Sequence, residues 1–271
     1  MSTAAVTSPS IISRLYANRR LILRLTARQL SAKWQGTMLG MVWSILTPLL
    51  TFAVYGFVFT QIFHSRWSGS LSSTSYPLLI FSGLVTFSIF GETVNAAPTL
   101  ILENASYVKK VIFPLEILPI VSILVNTVNA GFGLVILLVA QFITMGSLSF
   151  GLIYVPIIIL PLAVATLGVA WFLASLGVFI RDMRHIVGVA TSLLMFLTPI
   201  FYAAETVPDS FKPVMKLNPI ALTLEQIRAA LFLGQFPDPL DYLGLWVYAL
   251  FIASLGYAWF ARSRKAFADV L

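Results

Sequence analysis

Cysteine is absent from the 271 residues, and only two histidines occur, His64 and His185. A disulfide framework, a thiolate metal site and a cysteine nucleophile are thereby excluded, and the two histidines stand apart, without metal-ligand spacing. The run G-x-x-x-x-G-K-S/T does not occur, so the chain has no phosphate-binding loop of its own, and H-E-x-x-H is missing as well. Charge is scarce: 10% of residues are charged and 59% are hydrophobic, with a mean hydropathy of +0.93. An ordinary soluble domain carries about 25% charged and about 45–50% apolar residues. A domain of this length still keeps a large polar exterior, so the apolar excess must face lipid. A water-soluble globular protein is excluded on composition.

What is present is a series of long apolar runs. Six of them, near 38–63, 77–97, 115–145, 152–180, 186–204 and 242–261, approach or exceed the roughly 20 residues needed to cross about 30 Å of hydrocarbon. Prolines lie within or at the ends of several, which membrane helices accept because neighbouring groups satisfy the freed carbonyls. Glu92 and Glu116 fall at or near span ends, and no acidic residue is expected at mid-membrane depth. Ion-coupled carriers generally place ionisable groups there, and a membrane hydrolase or transferase needs a buried acid or base. Sodium sites built from carbonyls keep coupled transport open. The remaining reading is a conduit with neither an energy source nor a catalytic centre, which draws its energy from a partner.

Orientation follows from the basic residues. Placing the N-terminus in the cytoplasm puts Arg14, Arg19, Arg20, Arg24, Arg28, Lys33, Lys109, Lys110, Arg181, Arg184, Arg262, Arg264 and Lys265 inside, and Arg66, Lys212, Lys216 and Arg228 outside. Thirteen against four predicts both termini in the cytoplasm. The N-terminal region does not read as a secretory signal peptide. Residues 11–33 are too charged to span: Ile11, Ile12, Leu15, Ile22, Leu23, Leu25 and Leu30 share one half of a helix, with Arg14, Arg20, Arg24 and Arg28 on the other. Arg19, Leu21 and Lys33 are exceptions to an interfacial amphipathic helix. In the segment 205–241, Asn218 and Pro219 read as cap and first helical position, with Gly234 as the stop. Ile220, Leu224, Ile227 and Leu231 repeat at helical spacing opposite Glu225 and Arg228. This predicts a re-entrant or interfacial helix, with a shorter partner over 208–217, as a lid over a pore. No internal repeat or linker divides the chain, which reads as one all-α membrane domain over 1–271.

The run from 28 to 66 carries the pattern LG-x-x-W-x-x-x-x-P at Leu39, Gly40, Trp43 and Pro48. It resembles the first membrane helix of ABC-2-type permeases that export O-antigen, capsular polysaccharide or teichoic acid. Further matches are N-x-x-x-V-K-K-V-x-F-P-L-E-x-L-P from Asn104 to Pro119, Arg181-Asp182, and Asn218-Pro219. Together with the six-span order they cover essentially the whole chain, and the O-antigen branch is the most similar. The resemblance implies a homodimer in the bacterial inner membrane, bound to two copies of a separate ATPase subunit that holds ATP and magnesium. No cofactor is expected in this chain. It also implies a coupling helix near 98–113, an outer gate over 205–241, and an undecaprenyl diphosphate-linked polymer as substrate. An ABC-2 permease for a small lipid or drug is the competing reading within the class.

Phe52, Tyr55, Phe59 and Phe63 fall within roughly an 80° arc of the first span. Apolar contact with sugar rings would suit a sliding polymer, and an ordinary packing or lipid-facing stripe is the alternative. Trp34, Trp67 and Trp259 read as interface anchors, whereas Trp43 and Trp171 are candidates for the pathway or a dimer seam. Glu103, Asn104, Lys109 and Lys110 are candidates for ATPase contact. Asn218, Pro219, Leu224 and Ile227 are candidates for the gate. Gly36-x-x-x-Gly40 has the spacing that allows close helix approach.

Overall fold

A computed structural model describes residues 11–62, 76–108 and 113–271. Every regular element among them is helical. This is what an apolar solvent demands, since a backbone without water must satisfy its hydrogen bonds within the segment. Among the described residues, five helices are long and apolar enough to cross a bilayer: Gly40–Ile62, Tyr76–Glu103, Ile117–Met145, Phe150–Phe179 and Pro239–Val270. They are called here the first, second, third, fourth and last spans. The expected crossing at 186–204 is built differently, as a helix of 15 residues, Met183–Leu197. At ~1.5 Å per residue it covers only ~22 Å. Pro199 disfavours helical geometry at Thr198, which is extended (ψ 138°), and the chain continues non-helically toward the far end.

The second span is the centre of the bundle: Leu78, Leu79, Ile80 and Phe81 are all buried. It packs along the third span, where a side chain at Gly133 would meet Val85 at 2.8 Å. Lower in the same seam, Asn126 Nδ2 donates to Thr93 Oγ1 at 3.1 Å. The fourth and last spans touch through their backbones. A Cβ on Gly256 would overlap the Gly168 carbonyl, and one on Gly168 would lie 2.6 Å from Ala253 Cα. Only glycine permits so close a crossing. The first span stands apart, with Ser44 the single buried residue of Trp43–Phe57.

Arg14 and Arg264 both reach Glu116, so the N-terminal helix and the C-terminal tail lie at one end of the bundle, the basic end. The N-terminal helix is two pieces, Ile11–Ala17 and Arg19–Trp34. They are separated at Asn18, whose side-chain amide donates to the Arg14 carbonyl at 2.8 Å. Its apolar side rests on the start of the third span, with Ile22 against Ile117, Val121 and Val125. That contact, rather than average amphipathicity, fixes the helix rotation. Leu21 packs inward, whereas Leu23, expected on the apolar half, is exposed. Gly36 and Gly40 turn the chain into the first span with φ of 83° and 52°. Nothing in the chain lies within 4 Å of a Cβ at either, so within the chain they serve the turn and make no close helix contact.

The helix expected to be re-entrant or interfacial, Pro219–Arg228, begins at its expected cap. Asn218 Oδ1 accepts from the amides of Ile220 (3.0 Å) and Ala221 (3.4 Å). One wide turn, Ala229–Leu233, continues it to Gly234 at φ 69°. The shorter expected partner is the helix Lys212–Lys216.

Candidate functional site

At the far end the aromatic residues of the first span find partners from elsewhere in the chain. Tyr55 and Phe59 stack on each other (6.3 Å, 13°). Both also stack on Phe201, at 5.8 and 6.0 Å. Phe59 meets Tyr76 at 5.7 Å, and Tyr76 Oη donates to the Phe201 carbonyl at 2.7 Å. Phe196 extends the cluster at 5.7 Å from Phe201 and is 63% exposed. Phe52 shares the arc but packs inward on Phe81 at 5.1 Å. Phe63 lies outside the described residues. The cluster offers polarizable ring faces with one open rim, a chemistry that holds apolar surfaces without demanding a hydroxyl pattern.

The two tryptophans separate. Trp43 is half-buried at the start of the first span. Trp171 is buried inside the bundle, its indole donating to the Glu116 carbonyl at 2.9 Å and its ring against Tyr257 at 5.3 Å. It meets neither an open pathway nor an outer seam, because a buried indole N–H needs a partner and the bundle supplies one.

Beside the aromatic cluster, the helix Pro219–Arg228 is clamped. Leu224 and Ile227 are core residues, packed against the second and fourth spans. Arg228, expected on the polar face and outside, is 3% exposed. Its guanidinium donates to the carbonyls of Pro199 (2.7 Å), Leu79 (2.8 Å) and Ile200 (3.1 Å). These acceptors come from the second span and from the chain just past Met183–Leu197. The missed signal is spacing, since Arg228 follows Leu224 by four and so stays beside the apolar face. Asn218 Nδ2 donates to Thr198 Oγ1 at 3.0 Å. Gln141 Nε2 and Ser149 Oγ cap the Leu231 and Ala230 carbonyls at 2.8 and 3.1 Å. The exposed parts of the expected gate are the segments on either side of this helix, where Phe211 and Leu217 before it and Phe236 after it face outward. In the segment before it Lys212, 2.6 Å from Asp209, holds its carboxyl below the usual carboxylate range.

At the basic end, the segment expected to couple begins as a direct extension of the second span. The helix tightens at Ala97–Thr99, continues through Leu100–Glu103, breaks at Asn104 and resumes at Ala105–Val108. Glu103 is exposed. Asn104 is committed locally, its side-chain amide donating to the Leu100 carbonyl at 2.8 Å while its own carbonyl accepts from Tyr107. Lys109 and Lys110 lie outside the described residues. A Cβ on Gly177 would overlap the Pro98 carbonyl, so this segment sits backbone-to-backbone on the fourth span. Tyr107 stacks on Phe113 at 4.4 Å and lies 3.4 Å from Arg28 of the N-terminal helix. Glu92, expected near a span end, lies within a helix that runs on to Glu103, and its carboxylate is 3.8 Å from Lys33. Among the described residues no cluster of three or more carboxylates, histidines or cysteines is placed to hold a metal.

This architecture can be set beside known proteins. Residues 20–232 match the family model described as ABC-2 type transporter. The O-antigen export system permease protein RfbA of Myxococcus xanthus is 26% identical over 261 residues, spanning 96% of this chain and 98% of that protein. A protein of the same name from Klebsiella pneumoniae is 23% identical over 253 residues, spanning 93% and 95% respectively. Most of the chain falls within the family match, and it belongs to the ABC-2 type transporter family as a multi-pass membrane component that works with an ABC ATPase.

Proposed function

We propose that the chain is the membrane-spanning permease of an exporter that moves undecaprenyl diphosphate-linked O-antigen polysaccharide outward across the bacterial inner membrane. It acts as a homodimer bound to two copies of a separate ATPase subunit, where ATP and magnesium are held. Both termini and the basic end face the cytoplasm, in keeping with the excess of Lys and Arg there. The observation that carries the reading is the ring cluster of Tyr55, Phe59, Tyr76 and Phe201 with its open rim at Phe196. Ring faces hold successive sugars by apolar contact and let them slide. The relatives that match over nearly their full length are named as O-antigen export permeases, which supports the O-antigen part of the reading.

The mechanism follows the second span. Its helix runs from Tyr76 to Glu103 with one tightened turn at Ala97–Thr99, ~42 Å at ~1.5 Å per residue. A push delivered by the ATPase near Glu103 therefore reaches the far end as a rigid displacement. There Tyr76 holds Phe201 and Leu79 holds Arg228, so the ring cluster and the loop beyond Thr198 move with the span. The first span, little covered by its own protomer, offers its exposed face to the second copy, and the pathway runs between the two.

A deletion strain tests the substrate. Loss of O-antigen from intact cells, with polymer accumulating inside on undecaprenyl diphosphate, is the expected result. Accumulation on a different lipid carrier would move the substrate to the capsule class, and an untouched surface glycan would overturn polysaccharide export.

A further inference from the structure

Glu116 is the one acidic residue among those described that is buried, at 2% exposure, and it stands at a crossing of four elements. Its Oε2 accepts from Arg264 Nη1 at 3.1 Å, at the exit of the last span. Its Oε1 lies 3.7 Å from Arg14 Nη1 of the N-terminal helix. Its carbonyl accepts the indole of Trp171 on the fourth span. The residue itself caps the third span, Ile117–Met145.

Packing alone does not require a carboxylate here. The surroundings are apolar: Leu115, Leu118, Trp171, Phe260 and Phe267 form one buried cluster. Replacing a buried ion cluster by apolar residues of similar volume is often neutral or stabilising. What ions add over apolar contact is direction, because each carboxylate oxygen is assigned to one partner, whereas greasy surfaces slide. We propose that Glu116 is a positioning residue for transport. It is the junction through which displacement of the coupling segment is passed to the N-terminal helix and the last span, with Arg14 and Arg264 as its two outgoing arms. This rests on the reading that an ATPase acts at the basic end.

The arrangement separates this role from plain stability. The Arg264 side chain is 35% exposed, so Arg264→Gln removes one arm without opening the core, and Glu116→Gln removes the charge that holds both arms, and one of its two acceptor oxygens, while keeping shape. Each variant is expressed with its ATPase and scored for copurification, ATP hydrolysis in lipid nanodiscs and surface glycan per cell, beside wild type and a deletion strain. Both single variants are expected to retain the bound ATPase and its KM for ATP. Glycan exported per ATP hydrolysed should fall about tenfold, the middle of the usual range for a coupling free energy. The double variant should fall no further than the weaker single variant, as members of one unit do. Export per ATP within about twofold of wild type for Arg264→Gln, with the complex intact, overturns the proposal, as does a double variant whose losses multiply. Should Glu116→Gln fail to accumulate, Arg264→Gln alone decides. If the deletion strain still displays its glycan, it is the export reading that fails instead.

Discussion

A guanidinium withdrawn from water needs a fixed set of acceptors, and Arg228 has them in the carbonyls of Leu79, Pro199 and Ile200. Arg228→Met leaves those carbonyls without their donor, at a cost of about 3 kcal/mol. For a chain of this size that should lower the Tm of the purified protein by roughly 6–12 °C. An unchanged Tm would show that the clamp carries no stability. On the proposed reading, Tyr55 and Phe59 act at the same end through contact with the substrate. Alanine at either should cut surface glycan without lowering protein level, as read by whole-cell staining against a membrane immunoblot. Undiminished export in both would remove the ring cluster from the pathway. The periodicity of a single helix was enough to place these two rings on one face. It could not supply Phe196 and Phe201, because they come from another part of the chain, and at Phe201 the chain has already left helical geometry, at Thr198, so that spacing no longer reports direction.

Among the elements, the second span is the lever of the proposed mechanism, and it is seated on the fourth span where Gly177 meets Pro98. Gly177→Val forces the two backbones apart. The expected outcome is a permease that still inserts and binds its ATPase but hydrolyses ATP without exporting, measured as glycan per ATP. Export at wild-type level would mean that the contact is incidental. The long spans were legible because twenty apolar residues have few other fates in lipid. So was the cap at Asn218, because Asn-Pro followed by spaced apolar residues carries its own geometry. The rotation of the N-terminal helix was not. Leu21 and Leu23 are equivalent in composition, and only the surface offered by Ile117, Val121 and Val125 decides between them. Asn104 was legible as special, but its role breaks a helix and depends on the Leu100 carbonyl being within reach.

For the whole molecule, a first span with one buried residue is an incomplete structure until something covers it. The absence of cysteine makes the cover measurable. Single cysteines placed along 45–57 should give disulfide-linked dimers on mild oxidation at positions recurring with helical spacing. None along the whole stretch would place the first span against lipid. The central claim is that this permease, driven by its ATPase, carries a lipid-linked polysaccharide through the membrane. The most direct measurement reconstitutes the two subunits in sealed proteoliposomes whose ATPase sites face outward, with labelled undecaprenyl diphosphate-linked polymer in the outer leaflet. Polymer should become protected from an external glycosidase only when ATP is added, and not with an ATPase subunit disabled in its phosphate-binding loop. Active hydrolysis with the polymer left fully accessible would contradict the account.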